Sequence, residues 1–173
     1  MSSHRWQGEA TKGRPVSKAA AAYEVLKPSE GSERGHGDWF RITQEQINAF
    51  ADCTEDHQFI HIDEERAKTE TPFGGTIAHG FLTLSMIVHL MHSVPSETPP
   101  LDGLVMGINY GLDRVRFINP VSRGKRVRAH AAVKSVELKA GAVQVVTTVT
   151  VEIEDEPKPA LVADWVTRMV FTS

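Results

Sequence analysis

Six consecutive residues, Asp56-His57-Gln58-Phe59-Ile60-His61, place one carboxylate and two imidazoles on a short stretch of chain. Asp56 and His61 are five residues apart, which on a loop lets both side chains converge on one point. There they could hold a water between them and move protons as acid and base. A plainer reading has Asp56 capping a turn and His61 as a hydrogen-bonded loop histidine, and the spacing alone leaves both open. A turn follows at Pro72-Phe73-Gly74-Gly75, and His79-Gly80 then opens an apolar run. Gly80 falls where a helix should begin, so its N–H is unspent, the helix dipole favours negative charge, and a ligand can approach the backbone closely. Close packing of helix on sheet would demand a glycine equally well.

Other chemistries find less support. Asp56, His57, His61 and His79 make a candidate ligand set, but neither the close ligand pairs of structural zinc sites nor H-E-x-x-H occurs, so no metal is expected. His79 is expected to fix the junction of loop and helix. His89 and His92, further along, are expected to face solvent or an interface. There is no G-x-S-x-G elbow, dinucleotide fingerprint or P-loop. Cys53, the single cysteine, reads as a core residue with apolar helical neighbours.

The elements that must position these residues follow from the pattern. Lys18 to Leu26 is rich in helix formers and is stopped by Pro28. Ser29 to Gly37 reads as a flexible connector, so residues 1–36 are expected to form a mobile tail with one short helix. Trp39 to Ile42 is a short strand. Thr43 and Gln46 have capping-box spacing for a helix that would bury Ile47, Phe50 and Ala51. Phe81 to Met91 reads as a core helix, too short and too interrupted to cross a bilayer. Four strand-like runs follow: Leu104 to Phe117 with a bulge near Gly111, Arg126 to Glu137, Val143 to Ile153 and Ala160 to Phe171. Short turns between long strands imply an antiparallel sheet. A helix apolar nearly all round must be covered on most sides, and a curved sheet wrapped about it would do so. The fold class is therefore α+β, with residues 37–173 forming one domain.

Composition narrows the partners. The chain has 173 residues, 40% of them hydrophobic and 24% charged, with a net charge of -3. That is ordinary for a soluble domain and carries no basic footprint for nucleic acid. One cysteine excludes an internal disulfide and fits a reducing cytoplasm, and the N-terminus lacks the apolar segment of a secretory signal.

Taken together, Asp56-x(4)-His61, PFGGTIAHGFLTLS, the strand NYGLDRVRF and the turn INPVSRGKRVRA resemble the MaoC-like dehydratases. These include the (R)-specific enoyl-CoA hydratases and single-domain NodN-like members. The resemblance runs from about Gly37 to the C-terminus. It implies a hot-dog fold, usually a homodimer, that adds water reversibly to trans-2-enoyl thioesters of coenzyme A and needs no cofactor. Residue by residue, it implies Asp56 and His61 as the catalytic pair and the N–H of Gly80 as donor to the thioester oxygen. A helix hydroxyl sometimes assists, and Ser85 is the candidate, with His79 as a second assisting residue. Arg114, Arg116 and Arg126, beside Lys125, are candidates for the coenzyme A phosphates, although basic residues on an exposed strand are as readily just solvated. Where the family often has Asn-Pro, this chain has Gln58-Phe59. An acyl-CoA thioesterase and a non-catalytic acyl-thioester binding protein are the alternatives. End strands that would otherwise be exposed give independent support to a dimer.

Overall fold

The computed structural model describes residues 16–172. The expected tail over residues 1–15 lies outside the described residues. Helix α1 (Lys18–Leu26) is capped by Ser17, whose hydroxyl accepts from the Ala20 N–H. It lays Ala22 and Leu26 on Val133, Val136, Val143 and Val145 of the sheet. The segment expected to be a flexible connector instead contains strand β1 (Glu33–His36), paired antiparallel with β4 (Arg126–Lys139). Its Gly and Ser content speaks for a loop, but the edge of β4 offers unpaired backbone groups, and tertiary pairing overrides weak local preference.

After strand β2 (Phe40–Arg41) the chain enters α2 (Gln44–Thr54) through the expected capping box, with both the Thr43 and Gln46 side chains engaged. Ile47 and Ala51 are buried and Phe50 is half-buried, whereas Cys53 is exposed, not in the core. The face of α2 that carries Cys53 also carries Asp52 and turns to solvent. Short helices α3 (Phe59–Ile62) and α4 (Glu64–Glu70) follow, then the central run.

That run is not one uniform helix. It divides at Met86 into α5 (Gly80–Ser85) and α6 (Ile87–Leu90), and ends in a 3₁₀ turn at Met91–Ser93. Leu82, Ile87 and Leu90 face the sheet and pack with Val127, Ala129, Ala131, Val149, Leu161 and Ala163. The alanines on β4 and β6 let the helix settle close to the strands. The expected cover is incomplete within one chain, since Phe81 is 67% and Val88 42% exposed.

Strands β3 (Leu104–Phe117), β5 (Ala142–Ile153) and β6 (Leu161–Phe171) complete an antiparallel sheet ordered β1-β4-β5-β6-β3, with β2 also on β4. The register of β3 shifts between Asn109 and Gly111, where the change of phase predicts a bulge, and again between Asp113 and Arg116. Val143, Val145, Thr147, Val149, Val151 and Ile153 are all buried, as the alternation requires. β4 and β5 are joined by Ala140 and Gly141, with φ of 49° and 77°. Positive φ at both positions matches the twist of a two-residue hairpin but strains a Cβ at the first. Ala140→Asn, which tolerates this conformation, should raise stability by about 0.5–1 kcal/mol in denaturant melts.

Candidate active site

Helix α2 ends at Glu55 in the left-handed region (φ 60°), which swings Asp56 to Gln58 back across the start of α5. One turn later α3 points His61 inward, leaving it 6% exposed. The segment opposite is held from both sides, with the Ile77 N–H on Ile60 O and the Ala78 N–H on Val121 O. His61 donates from Nδ1 to the Ile77 carbonyl at 2.8 Å. This fixes the tautomer, so Nε2 keeps its lone pair for chemistry. Burial first, and then the neighbouring His79, hold the His61 pKa below the usual histidine value, against the Ile77 hydrogen bond and Asp56, which push the other way. The imidazole is therefore neutral near neutral pH and able to accept a proton.

His79 is 2% exposed and its ring stacks on that of His61, centroids 3.7 Å apart and planes at 25°. Its Nε2 donates to the backbone carbonyl of Asp56 at 3.0 Å, tying the Asp56 loop to the residue that caps α5. This is the junction role expected of it. Its Nδ1 is buried and has no hydrogen-bond partner among the described residues. Nitrogen or oxygen atoms of Asp56, His61 and His79 all lie within 4.8 Å of one another. Stacked rings direct their lone pairs side by side rather than at one point, a poor arrangement for a cation and a good one for polar contacts to a small molecule. His57 does not join them; it is exposed and pairs with Asp52 at 2.9 Å.

His61 opens onto a cavity of about 250 Å³ bounded by Ile77, Gly80, Thr83, Phe117, Asn119 and Val121 among others. Gly80 lines it at the head of α5, where the N–H has no intrahelical acceptor. A Cβ at this position would stand 3.0 Å from the Phe117 ring. Both reasons for glycine, access and packing, therefore hold together. Asp56 is exposed, so the Asp56–His61 pair spans the boundary between solvent and cavity.

Two of the sequence candidates, Ser85 and Arg126, are engaged by partners within the chain. Ser85 is exposed, donates to Phe81 O at 2.8 Å and lies off the cavity; the hydroxyl that lines the cavity is the buried Thr83. Two residues along a helix is about 200° of rotation, which puts Thr83 and Ser85 on opposite faces. Arg126 is clamped by the Glu154 carboxylate through Nε and a terminal nitrogen. Arg114 and Arg116 are exposed on β3, and Arg116 is next to Phe117 of the cavity wall.

Sequence reasoning missed Gln44. Its Nε2 donates to the His61 carbonyl at 2.8 Å and its Oε1 accepts from the Thr76 hydroxyl at 2.6 Å. Glu64, itself bridged to Arg123, accepts from the same hydroxyl. Only position N1 of the capped helix hints at this, because a side chain there leans back over the preceding loop. Gln44→Leu strands the His61 carbonyl, while the Thr76 hydroxyl keeps Glu64, and should cost about 1–3 kcal/mol of stability, read by thermal melts, and reduce turnover through the displaced His61.

Comparisons with known proteins agree with this frame. Residues 26–155 match the family model described as "MaoC like domain". The chain is similar to nodulation protein N of Rhizobium leguminosarum bv. viciae, 50% identical over 143 residues that cover 82% of this chain and 86% of the relative. It is similar also to 3-hydroxyacyl-thioester dehydratase Z of Mycobacterium tuberculosis, 47% identical over 146 residues, covering 84% of this chain and 93% of the relative. Among solved structures, the monoamine oxidase regulatory protein from Archaeoglobus fulgius superposes with a TM-score of 0.67 at 26% identity, covering 83% of this chain and 92% of that one. The fold is the hot-dog fold, and the chain is an enzyme of the hydratase–dehydratase type. The chain belongs to the MaoC-like dehydratase family.

Proposed function

We propose that this protein catalyses the reversible hydration of trans-2-enoyl thioesters of coenzyme A to (R)-3-hydroxyacyl thioesters. The observation that carries the reading is the neutral, tautomer-fixed His61 lining the same cavity as Gly80, with the Asp56 carboxylate close by. The Asp56 carboxylate orients a water by accepting one of its hydrogens. His61 Nε2 takes the other as the water oxygen bonds to C3, and the electron pair of the double bond moves through C2 onto the thioester oxygen. That oxygen is met by the Gly80 N–H. The imidazolium, stabilised by Asp56, then returns its proton to C2, so water supplies every atom added and no cofactor is required. His79 holds the Asp56 loop in place, and Thr83 rather than Ser85 is the hydroxyl that can touch substrate. Arg114 and Arg116 are the side chains available to the phosphates of coenzyme A.

The working form is a homodimer. Among the described residues β3 pairs with β6 alone, and Val105, Met106, Tyr110 and Leu112 on it are exposed, as is Phe81. An apolar edge strand of this length invites a second copy. Among the described residues no helix is long and apolar enough to cross a membrane, and the free thiol of Cys53 suits the reducing cytoplasm in which we place the enzyme.

Purified protein given crotonyl-CoA should remove the conjugated enoyl absorbance without releasing free thiol. Thiol release from saturated acyl-CoAs without hydration of any enoyl-CoA would establish a thioesterase instead. Saturable binding with neither reaction would establish a binding protein.

A further inference from the structure

A second cavity, of about 390 Å³, lies between α6 and the helix-facing side of β3, β5 and β6. Val88, Met91, Ile108, Val145, Trp165 and Met169 make its wall mainly apolar, yet Arg34 reaches into it from β1. Arg66, Arg123, Arg126 and Arg128 each meet a glutamate. Arg34 is half-buried and makes neither an ion pair nor a side-chain hydrogen bond among the described residues. Desolvation alone acts on its guanidinium, drawing the pKa below the usual arginine value. Its neighbour Glu33 is taken by His130 at 3.0 Å, and Glu97, which shares an adjoining cavity with Arg34, forms no salt bridge with it. A partly desolvated cation without a counter-charge costs free energy, and residues kept in that state mark binding sites.

We propose that the enzyme takes acyl chains ending in a carboxylate, the chain lying in this cavity and its distal carboxylate on Arg34. The inference rests on the hydratase reading above. The α5–α6 run passes both cavities, with Gly80 and Thr83 in the first and Val88 and Met91 in the second. From Gly80 to Met91 the run advances about 16 Å. A thioester held at Gly80 with its chain along the helix therefore brings its far end toward Arg34. A methyl terminus would cover the guanidinium from water and offer nothing in return, whereas a carboxylate can accept two parallel N–H bonds from its planar fork.

The test compares kcat/KM for trans-2-enoyl-CoAs of equal length, one ending in methyl and the other in carboxylate, from short chains to long. Short pairs should be handled alike. At the length that reaches Arg34 the carboxylate should be preferred at least roughly tenfold, the worth of one charge-assisted hydrogen bond. Arg34→Met should bring that ratio near unity and Arg34→Lys should keep part of it, with circular dichroism reporting the fold of each. Hydration of methyl-ended chains with no carboxylate preference at any length overturns this inference and leaves the hydratase standing. A preference that survives in Arg34→Met overturns it as well. If no substrate of either kind is hydrated, the hydratase reading fails and this inference falls with it.

Discussion

Asp56→Asn and His61→Asn should each lower kcat for enoyl-CoA hydration by about 10³-fold, within the range for loss of a positioned acid or base. The variants are chosen to spare the fold. Asp56 is exposed, and it is its backbone carbonyl, not its carboxylate, that receives the His79 hydrogen bond. Asparagine at position 61 retains an N–H donor for the Ile77 carbonyl, so the loop keeps its tether while the basic nitrogen is lost. Melting temperatures within a few degrees of wild type, together with the lost turnover, would assign the loss to chemistry. The double variant should be little worse than either single one, because the two groups act as a unit. The pH profile carries the same argument. The pKa of His61 is held below the ordinary value of 6.5, so its basic form persists into mildly acidic solution and the acid limb of kcat/KM should lie below pH 6.5. An acid limb above that value would mean that another group sets the protonation state.

The second large effect concerns assembly. Val105→Lys combined with Met106→Lys puts charge on both faces of the exposed edge of β3, and lysine at a strand edge opposes pairing with another chain. The variant should sediment as a monomer at concentrations where the wild type is a dimer, a weakening of about 10²-fold or more. Turnover should fall with it, since Phe81 and Phe117, packed edge to face beside the cavity, lose their cover. A wild type that is monomeric and fully active would contradict the dimer directly.

The framework was legible in the sequence where one local rule acts alone. Thr43 and Gln46 predict the capping box, the alternation of β5 predicts its buried face, and the change of phase at Gly111 predicts a bulge. The family was legible through the combination of motifs, and not from the spacing of Asp56 and His61. What escaped depends on partners distant in sequence. Nothing within Glu33–His36 reveals that the edge of β4 awaits it. Gln44 becomes a positioning residue only when Thr76 arrives from 32 residues away. Choosing Thr83 over Ser85 needs the rotational register of α5 against β3, which an apolar run does not encode. Arg34 reads as a connector cation until the two cavities around it are seen.

The central claim is that Asp56 and His61 work on one water and deliver both of its parts to one face of the double bond. Hydration of crotonyl-CoA in D₂O, with the product's configuration at C2 and C3 read by NMR, tests it most directly. The account predicts (R)-3-hydroxybutyryl-CoA with the deuteron at C2 on the same face as the new hydroxyl. A deuteron delivered to the opposite face would require the acid and the base to stand on two sides of the substrate and would contradict it, whereas an (S) product with the deuteron on the hydroxyl's face would overturn only the (R) assignment.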